Sequence, residues 1–265
     1  MLKKYISPTL ISMLVLLTGC ENLSTTNKQN KTSNSQTSNT VDTSQSSVNT
    51  SALRQINVLV VVDANDAGTK NGTSRTKIDH FMSVTNKVFQ NSTVAAKLKI
   101  VKVQPYIFNG ENSKNALSVV HKDGSISAIR DSVHADLVII YRQDIGEGIC
   151  GRAYLNKTLD RNLAYAHVNL KCSSTTTAHE VGHTMGLNHS SKKTSKNGRF
   201  VYGRGYGVDD AFSTVMSYKS TYRTSKRVFN YSSPNLDCEG YVCGTNDADA
   251  VKALNNSILA VSNFN

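Results

Sequence analysis

The sequence contains no long hydrophobic run, no internal repeat and no tryptophan. Its N-terminal apolar stretch, Ile11 to Leu17, is too short to span a bilayer stably, which excludes a membrane-crossing helix at that place. Hydrophobic residues make up 38% of the chain, whereas Ser, Thr and Asn are abundant in its first fifth. The rest of the chain, about 200 residues, is enough for one domain with a substantial core.

The chain carries 30 basic and 19 acidic residues, which gives a formal net charge of +11. A basic excess favours binding to nucleic acid or to an anionic surface when the basic residues cluster. Here they are scattered, and one modest cluster comprises Lys192, Lys193, Lys196 and Arg199. We interpret this cluster as a solvated loop, and we expect no nucleic-acid partner.

The N-terminal residues have the pattern of an export signal. Lys3 and Lys4 precede the short apolar stretch, which ends in Leu-Thr-Gly-Cys at residues 17–20. This ending resembles the lipobox of bacterial lipoproteins, in which the signal is cut before the cysteine and its thiol is acylated. The resemblance implies a signal peptide over residues 1–19 and a lipid on Cys20. The resemblance thus implies that the protein is exported and anchored to a bacterial membrane, at the cell envelope or surface. Release of the protein from that membrane is an open alternative. An ordinary secretory signal that ends in cysteine is the alternative.

Residues 20–52 contain almost no large apolar side chains. Such a segment buries too little surface to offset the entropy lost on ordering. We interpret it as a disordered, Ser/Thr/Asn-rich tether between the membrane and the domain that follows. A propeptide is the competing interpretation, although the segment after Cys20 has no cysteine that could cap a metal ion.

Four further cysteines follow the tether, at positions 150, 172, 238 and 243. An even number of cysteines in an exported chain favours disulfides over free thiols. Three pairings are open, and proximity along the chain favours Cys150 with Cys172 and Cys238 with Cys243. A structural zinc site is the alternative, and the lack of a C-x-x-C pair disfavours it.

Apolar patterns from residue 53 onwards alternate between strands and helices. The run Ile56 to Val62 is continuous and β-branched, as in a strand that is buried on both faces. Helices are predicted over 74–90 and 113–132, with a break near Gly124, and further strands over 98–107, 137–141, 151–155 and 163–170. This order predicts an α/β fold with a mostly parallel sheet, in one domain over residues 53–265.

The segment 178–190 has the strongest chemical signal. On a helix, the rings of His179 and His183 project from the same face and can bind one ion. Glu180 then lies close to that ion without binding it, where it can take a proton from water. Gly186 suits a sharp turn at the end of the helix, because glycine tolerates a positive φ. The turn returns His189 as a third ligand, and three nitrogen ligands with one open position are typical of catalytic zinc.

These residues form the motif H-E-x-x-H-x-x-G-x-x-H, and the chain therefore resembles the metzincin zinc endopeptidases. The resemblance extends to Met216, which looks like the methionine of the turn beneath the zinc site. It implies one catalytic zinc ion bound by the three histidines and hydrolysis of peptide bonds by a zinc-activated water, with Glu180 as general base. Protein or peptide substrates, a zinc helix below an edge strand, and a monomer are expected.

The details resemble the reprolysin-like branch and its bacterial relatives, which include peptidyl-Asp metallopeptidases. The resemblance rests on Cys150, on Cys172 and on the tail from Phe229, and it implies a small irregular C-terminal subdomain with a final helix over 245–258. Ser190 departs from the branch, where animal members have aspartate. Tyr218 resembles a serralysin tyrosine that reaches the metal, so it is a candidate transition-state stabiliser, and a packed core tyrosine is the alternative.

The resemblance implies that a substrate lies extended along the strand at 151–155. Arg152 on that strand is either an ordinary edge charge or a group that favours acidic substrates. Two other functions compete with the endopeptidase: a non-catalytic adhesin or binding protein on the same scaffold, and an amidase acting on peptidoglycan. The intact Glu180 disfavours the adhesin. Acidic residues in loops, namely Asp63, Asp66, Asp209 and Asp210, match no calcium-binding loop.

Overall fold

The computed structural model describes residues 53–143 and 148–265. The signal peptide, Cys20 and the tether of the sequence analysis lie outside the described residues. Among the residues that are described, no helix has the length and apolar character needed to cross a membrane.

The elements follow one another in the predicted alternation. The helices are α1 (Ala67–Lys70), α2 (Thr73–Asn91), α3 (Ser113–Lys122), α4 (Gly124–Ser132), α5 (Thr175–Thr184) and α6 (Ala250–Val261). The strands are β1 (Arg54–Asp63), β2 (Ala96–Tyr106), β3 (Leu137–Arg142), β4 (Gly151–Ala153), β5 (Tyr165–Asn169), β6 (Gly207–Val208), β7 (Phe212–Ser213), β8 (Asp237–Cys238) and β9 (Tyr241–Val242).

The first five strands form one sheet in the order β2-β1-β3-β5-β4. Strands β2, β1, β3 and β5 are parallel, and β4 alone pairs antiparallel with β5 at the edge of the sheet. The predicted mostly parallel α/β fold is therefore confirmed. Strand β4 is shorter than the predicted strand over 151–155, and it leaves one of its edges outside the sheet.

Both faces of this sheet are covered, which explains the uninterrupted apolar run in β1. Ile56, Val58 and Val60 belong to a core shared with α2, α5 and α6. Leu59 and Val61 point to the other face and belong to a core shared with α3 and α4. Because alternate residues of a strand point to opposite faces, a strand buried on both faces has no polar position in its centre.

One predicted helix is confirmed with its break, and another differs from the prediction. The predicted break near Gly124 divides 113–132 into α3 and α4 at Asp123, whose carboxylate accepts hydrogen bonds from the backbone N–H groups of Ser125 and Ile126. The final helix begins at Ala250, so the predicted start at residue 245 is wrong. Thr245 and Ala248 exchange backbone hydrogen bonds in a turn, and the Asp249 side chain caps the helix by accepting from Lys252 N.

The stretch after α5 is largely irregular, as the resemblance implies. Two short antiparallel pairs, β6–β7 and β8–β9, are its sheet structure within the described residues. A separate small core includes Phe212, Val228 and the disulfide Cys238–Cys243. The structure also contains the disulfide Cys150–Cys172, so both bonds follow the pairing that proximity in the sequence favours.

Candidate metal centre

Helix α5 carries His179 and His183 one turn apart on one face. The Nδ1 atom of His179 lies 2.8 Å from the carbonyl oxygen of Val215, and the Nδ1 atom of His183 lies 2.9 Å from that of Leu187. A carbonyl oxygen can only accept, so each Nδ1 atom donates its proton. Both neutral rings therefore present an unprotonated Nε2 atom, the form in which histidine binds a metal.

Gly186 lies in the turn that follows α5, and its backbone has a conformation that few residue types adopt readily. Its φ is +92°, in the left-handed region that glycine occupies without steric cost. The Gly186 N–H donates to the His183 carbonyl at 3.0 Å, and the Leu187 N–H donates to the Gly182 carbonyl at 2.8 Å. This pair of bonds is the Schellman motif of helix C-termini. The reversal directs the chain so that His189 faces the helix.

The Nε2 atom of His189 lies 3.1 Å from that of His179 and 3.0 Å from that of His183. Three nitrogen ligands at the usual Zn–N distance in a tetrahedral site are about 3.3 Å apart. Burial lowers the pKa of all three histidines, that of His183 to about 4, so the rings are neutral at physiological pH. The three side chains are grouped as a metal site requires, and the donor set suits zinc.

Glu180 is buried beside this site, at 5% exposure. Burial raises the pKa of its carboxyl to about 8, and the positive charge of Arg152 lowers it by a smaller amount. The carboxyl packs against Gly151 of β4, where a Cβ atom would lie 2.4 Å from Glu180 Oε1. The edge strand and the zinc-motif helix are thus in direct contact, as the resemblance implies.

Met216 lies beneath the helix and is completely buried. A Cβ atom on Gly182 would lie 2.5 Å from its Sδ atom, so the methionine packs directly on the helix between the two histidines. The residue before it, Val215, supplies the carbonyl that accepts from His179. Met216 is accordingly a hydrophobic floor for the histidines.

Tyr218 is 36% exposed, and its hydroxyl lies 3.3 Å from His189 Nε2. The alternative of a packed core tyrosine does not fit this position. Burial raises the pKa of the Tyr218 phenol, and the negative charge of Glu180 raises it further by a smaller amount. The hydroxyl is therefore protonated and available as a donor next to the histidines.

A cleft of about 530 Å³ opens over His179 and Glu180. It is lined by the segment 148–151 that leads into β4, and also by Tyr218, Lys219 and Arg227. The disulfide Cys150–Cys172 ties the segment 148–151 to the chain just before α5. Sequence analysis did not identify Arg227, because no local pattern links a loop arginine to a distant helix.

Three of the four loop aspartates singled out in the sequence form ion pairs, and none of the four belongs to the histidine group. Asp209 pairs with Lys192 at 2.6 Å, and Asp210 pairs with Arg223 at 2.9 Å. Asp63 lies 3.5 Å from Arg142. Across residues 53–143 and 148–265, the histidine triad is the one group of three or more such side chains arranged to hold a metal ion.

Comparison with known proteins agrees with this geometry. The model of metallopeptidase family M12 matches residues 52–232. A peptidyl-Asp metalloendopeptidase of Pseudomonas aeruginosa is 28% identical over 244 residues, which cover 80% of this chain and 41% of the relative. A peptidyl-Asp metalloendopeptidase of Xanthomonas campestris pv. campestris is 24% identical over 217 residues, which cover 79% of this chain and 51% of the relative.

This chain thus spans about half the length, or less, of the two curated relatives. A protein chain solved in a chaperone–substrate complex has a similar fold, with a TM-score of 0.68 and 24% identity over 80% of this chain and 36% of that chain. The family match includes the helix, the three histidines and the methionine beneath them. The chain belongs to metallopeptidase family M12.

Proposed function

We propose that residues 53–265 form the catalytic domain of a zinc-dependent endopeptidase. The observation that carries the proposal is the convergence of three histidines, in which His189 Nε2 lies 3.1 Å and 3.0 Å from the Nε2 atoms of His179 and His183, beside the buried carboxyl of Glu180. The ion would be held by His179, His183 and His189. A bound zinc ion supplies Lewis acidity, which polarises a substrate carbonyl and acidifies water.

Glu180 is the general base in this proposal. Its carboxylate takes a proton from the attacking water and then delivers it to the departing amine. A carboxyl whose pKa is raised by burial suits both steps, since it binds and releases a proton near neutral pH.

The substrate lies extended along β4. This strand pairs with β5 on one side, and its other side can add a peptide strand through the backbone groups of residues 151–153. The absence of a side chain at Gly151 lets the peptide backbone and Glu180 come close together. Protein and peptide substrates are therefore expected, in extended conformation.

Tyr218 is the proposed transition-state stabiliser. Its hydroxyl lies 3.3 Å from a metal-binding nitrogen, so a small movement of the ring brings the phenol to an oxyanion formed at the scissile carbonyl. A hydrogen bond that forms only in the transition state raises kcat without tighter substrate binding.

Cleavage beside aspartate is the specificity that the names of both relatives suggest for this chain.

We also propose that the protein acts outside the cytoplasm and is anchored by a lipid on Cys20. The two disulfides support export, because such bonds persist in oxidising compartments. Metabolic labelling with a fatty acid, compared between the natural chain and Cys20→Ala, tests the anchor: equal labelling of both contradicts it.

The decisive experiment for the activity compares the purified protein with Glu180→Gln. Both are expected to hold about one zinc ion per chain, because glutamine replaces no ligand. Turnover of casein is expected to fall by about 10²–10⁴-fold, the contribution of a positioned general base. Equal turnover contradicts the role of Glu180. Zinc binding without any cleavage by the natural protein supports a binding protein, and cleavage of muropeptides alone supports the peptidoglycan amidase.

A further inference from the structure

The lining of the cleft includes an arginine that forms no ion pair within the described residues. Arg227 lines the cleft together with His179 and Glu180. Its Nη2 atom donates to the carbonyl of Ser217 at 2.6 Å, which fixes one end of the guanidinium. Its Nε atom is buried and has no hydrogen-bond partner. Such a donor is costly unless a ligand satisfies it.

The surroundings of Arg227 contain little negative charge. Within the described residues, no carboxylate lies within ion-pair distance of its guanidinium. Burial lowers the pKa of Arg227, while the nearby Tyr218 hydroxyl raises it by a smaller amount. An arginine remains charged in a protein at such positions. A desolvated cation in an open cleft therefore lacks a counter-ion, and a ligand carboxylate is the group that fits it best.

Three other cations are close enough to compete for this role. Lys193 lies 5.2 Å from the centre of the Tyr218 ring, but it is exposed and does not line the cleft. Lys219 lines the same cleft but is exposed to solvent, so its interaction with a carboxylate is screened. Arg152 lies on β4, where its Nε atom donates to the Ser113 hydroxyl at 3.3 Å and its charge acts on Glu180. Arg227 differs from these residues because its Nε atom is buried and has no hydrogen-bond partner.

We propose that Arg227 binds the side-chain carboxylate of the substrate residue that follows the scissile bond. This inference rests on the proposed endopeptidase function. Glu180 must reach the amine that this residue releases, so the side chain of the same residue lies in the cleft that Glu180 lines. The aspartate specificity already proposed is thereby assigned to one side chain of this cleft. Arg227 determines specificity and takes no part in proton transfer.

The test uses four peptides that differ only in the residue after the scissile bond: aspartate, asparagine, glutamate and alanine. The ratio of kcat/KM for aspartate over asparagine isolates the charge, because the two side chains have the same shape. The natural protein is expected to favour aspartate by about 10- to 100-fold, the effect of one charge-assisted hydrogen-bonded pair. Mass spectrometry of the products identifies the cleaved bond.

Arg227→Gln is the informative variant, since glutamine can still donate to the Ser217 carbonyl but carries no charge. Its aspartate-to-asparagine ratio is expected to fall to about one, with zinc content unchanged. Lys226→Met is the matched control: Lys226 is the preceding residue, and it forms an ion pair with Glu239 outside the cleft. This control is expected to keep the ratio of the natural protein. Arg227→Glu is expected to shift the preference from aspartate towards lysine.

The outcomes separate this inference from the proposed function. If the natural protein cleaves no peptide, the endopeptidase function fails and the inference fails with it. If the natural protein cleaves the aspartate and asparagine peptides equally, only the inference is overturned. The inference is also overturned if Arg227→Gln keeps the preference for aspartate over asparagine while Arg152→Met or Lys219→Met removes that preference. Should Arg227→Gln lose its zinc, Arg227→Met is read instead, and an aspartate-to-asparagine ratio equal to that of the natural protein overturns the inference.

Discussion

The carboxyl of Glu180 occupies the space in which a side chain on Gly151 would begin. A Cβ atom at position 151 would lie 2.4 Å from Oε1 and 2.7 Å from the Cγ atom of Glu180. Two residues that are far apart in the sequence therefore depend on each other: the edge strand sits directly on the proposed general base.

Gly151→Ala should displace Glu180 and reduce activity. Since Glu180 is buried, it cannot move away cheaply, and kcat/KM is expected to fall by about 10- to 100-fold, as for small misplacements of catalytic groups. Zinc content is expected to remain near that of the natural protein. Gly124→Ala is the control, because a Cβ atom there would meet no neighbour within 4 Å. Equal losses for both variants would contradict the proposed dependence on Glu180.

Glu180→Gln should stabilise the metal-free protein in a pH-dependent way. Burial raises the pKa of Glu180 from 4.5 to about 8, so the folded state binds its proton more tightly than the unfolded state. The stability that this proton provides is complete below about pH 4.5 and is lost as the pH rises towards 8. Glutamine has no such loss. We expect the variant to have a Tm about 5 °C higher at pH 8 and an equal Tm near pH 4.

Thermal unfolding after removal of zinc by a chelator measures this difference. The natural protein and the variant are compared at each pH, so that the titration of the three histidines affects both equally. A difference in Tm that grows towards low pH would have the wrong sign and would contradict the buried carboxyl.

The two disulfides should differ in their effects on activity. Cys150–Cys172 closes 22 residues and Cys238–Cys243 closes 5, so their loss is expected to cost about 3 and about 2 kcal/mol of unfolding free energy. The first bond also fixes the wall of the cleft next to α5. Replacing this pair by serine is expected to lower kcat/KM at a temperature where the protein remains folded. If the Cys238–Cys243 pair has the larger effect on kcat/KM, the first bond does not position the wall.

Tyr218→Phe should lower kcat by about 10- to 100-fold with KM nearly unchanged. The variant removes a hydroxyl that lies 3.3 Å from His189 Nε2, and hydrogen bonds to a transition-state oxyanion have effects of this size or larger. The ring remains, so its packing and the zinc content are retained. A rise in KM at constant kcat would instead assign Tyr218 to substrate binding.

Much of the fold follows from patterns that are local in the sequence. The β-branched run in β1 predicts a buried strand, and apolar spacing predicts α2 to within one residue at each end. The start of α6 was predicted five residues too early, because the turn at Thr245 and the cap at Asp249 depend on hydrogen bonds that periodicity does not reveal.

The histidine site, like much of the fold, can be predicted from local spacing. The groups that support the histidines cannot be predicted in this way. His179, His183 and Gly186 lie on one helix and its terminal turn, so the 3.6-residue period and the tolerance of glycine for positive φ are enough to bring them together. The carbonyl that orients His179 belongs to Val215, which is brought beneath the helix only by packing.

The amino-acid order alone thus dictated the zinc-binding motif, the α/β class and the favoured cysteine pairs, because these depend on neighbours within a few turns of chain. Only the folded structure placed Gly151 against Glu180 and Arg227 in the wall of the cleft. Those contacts join segments that are distant in the sequence, and their geometry is set by the close packing of strands and helices around a shared core.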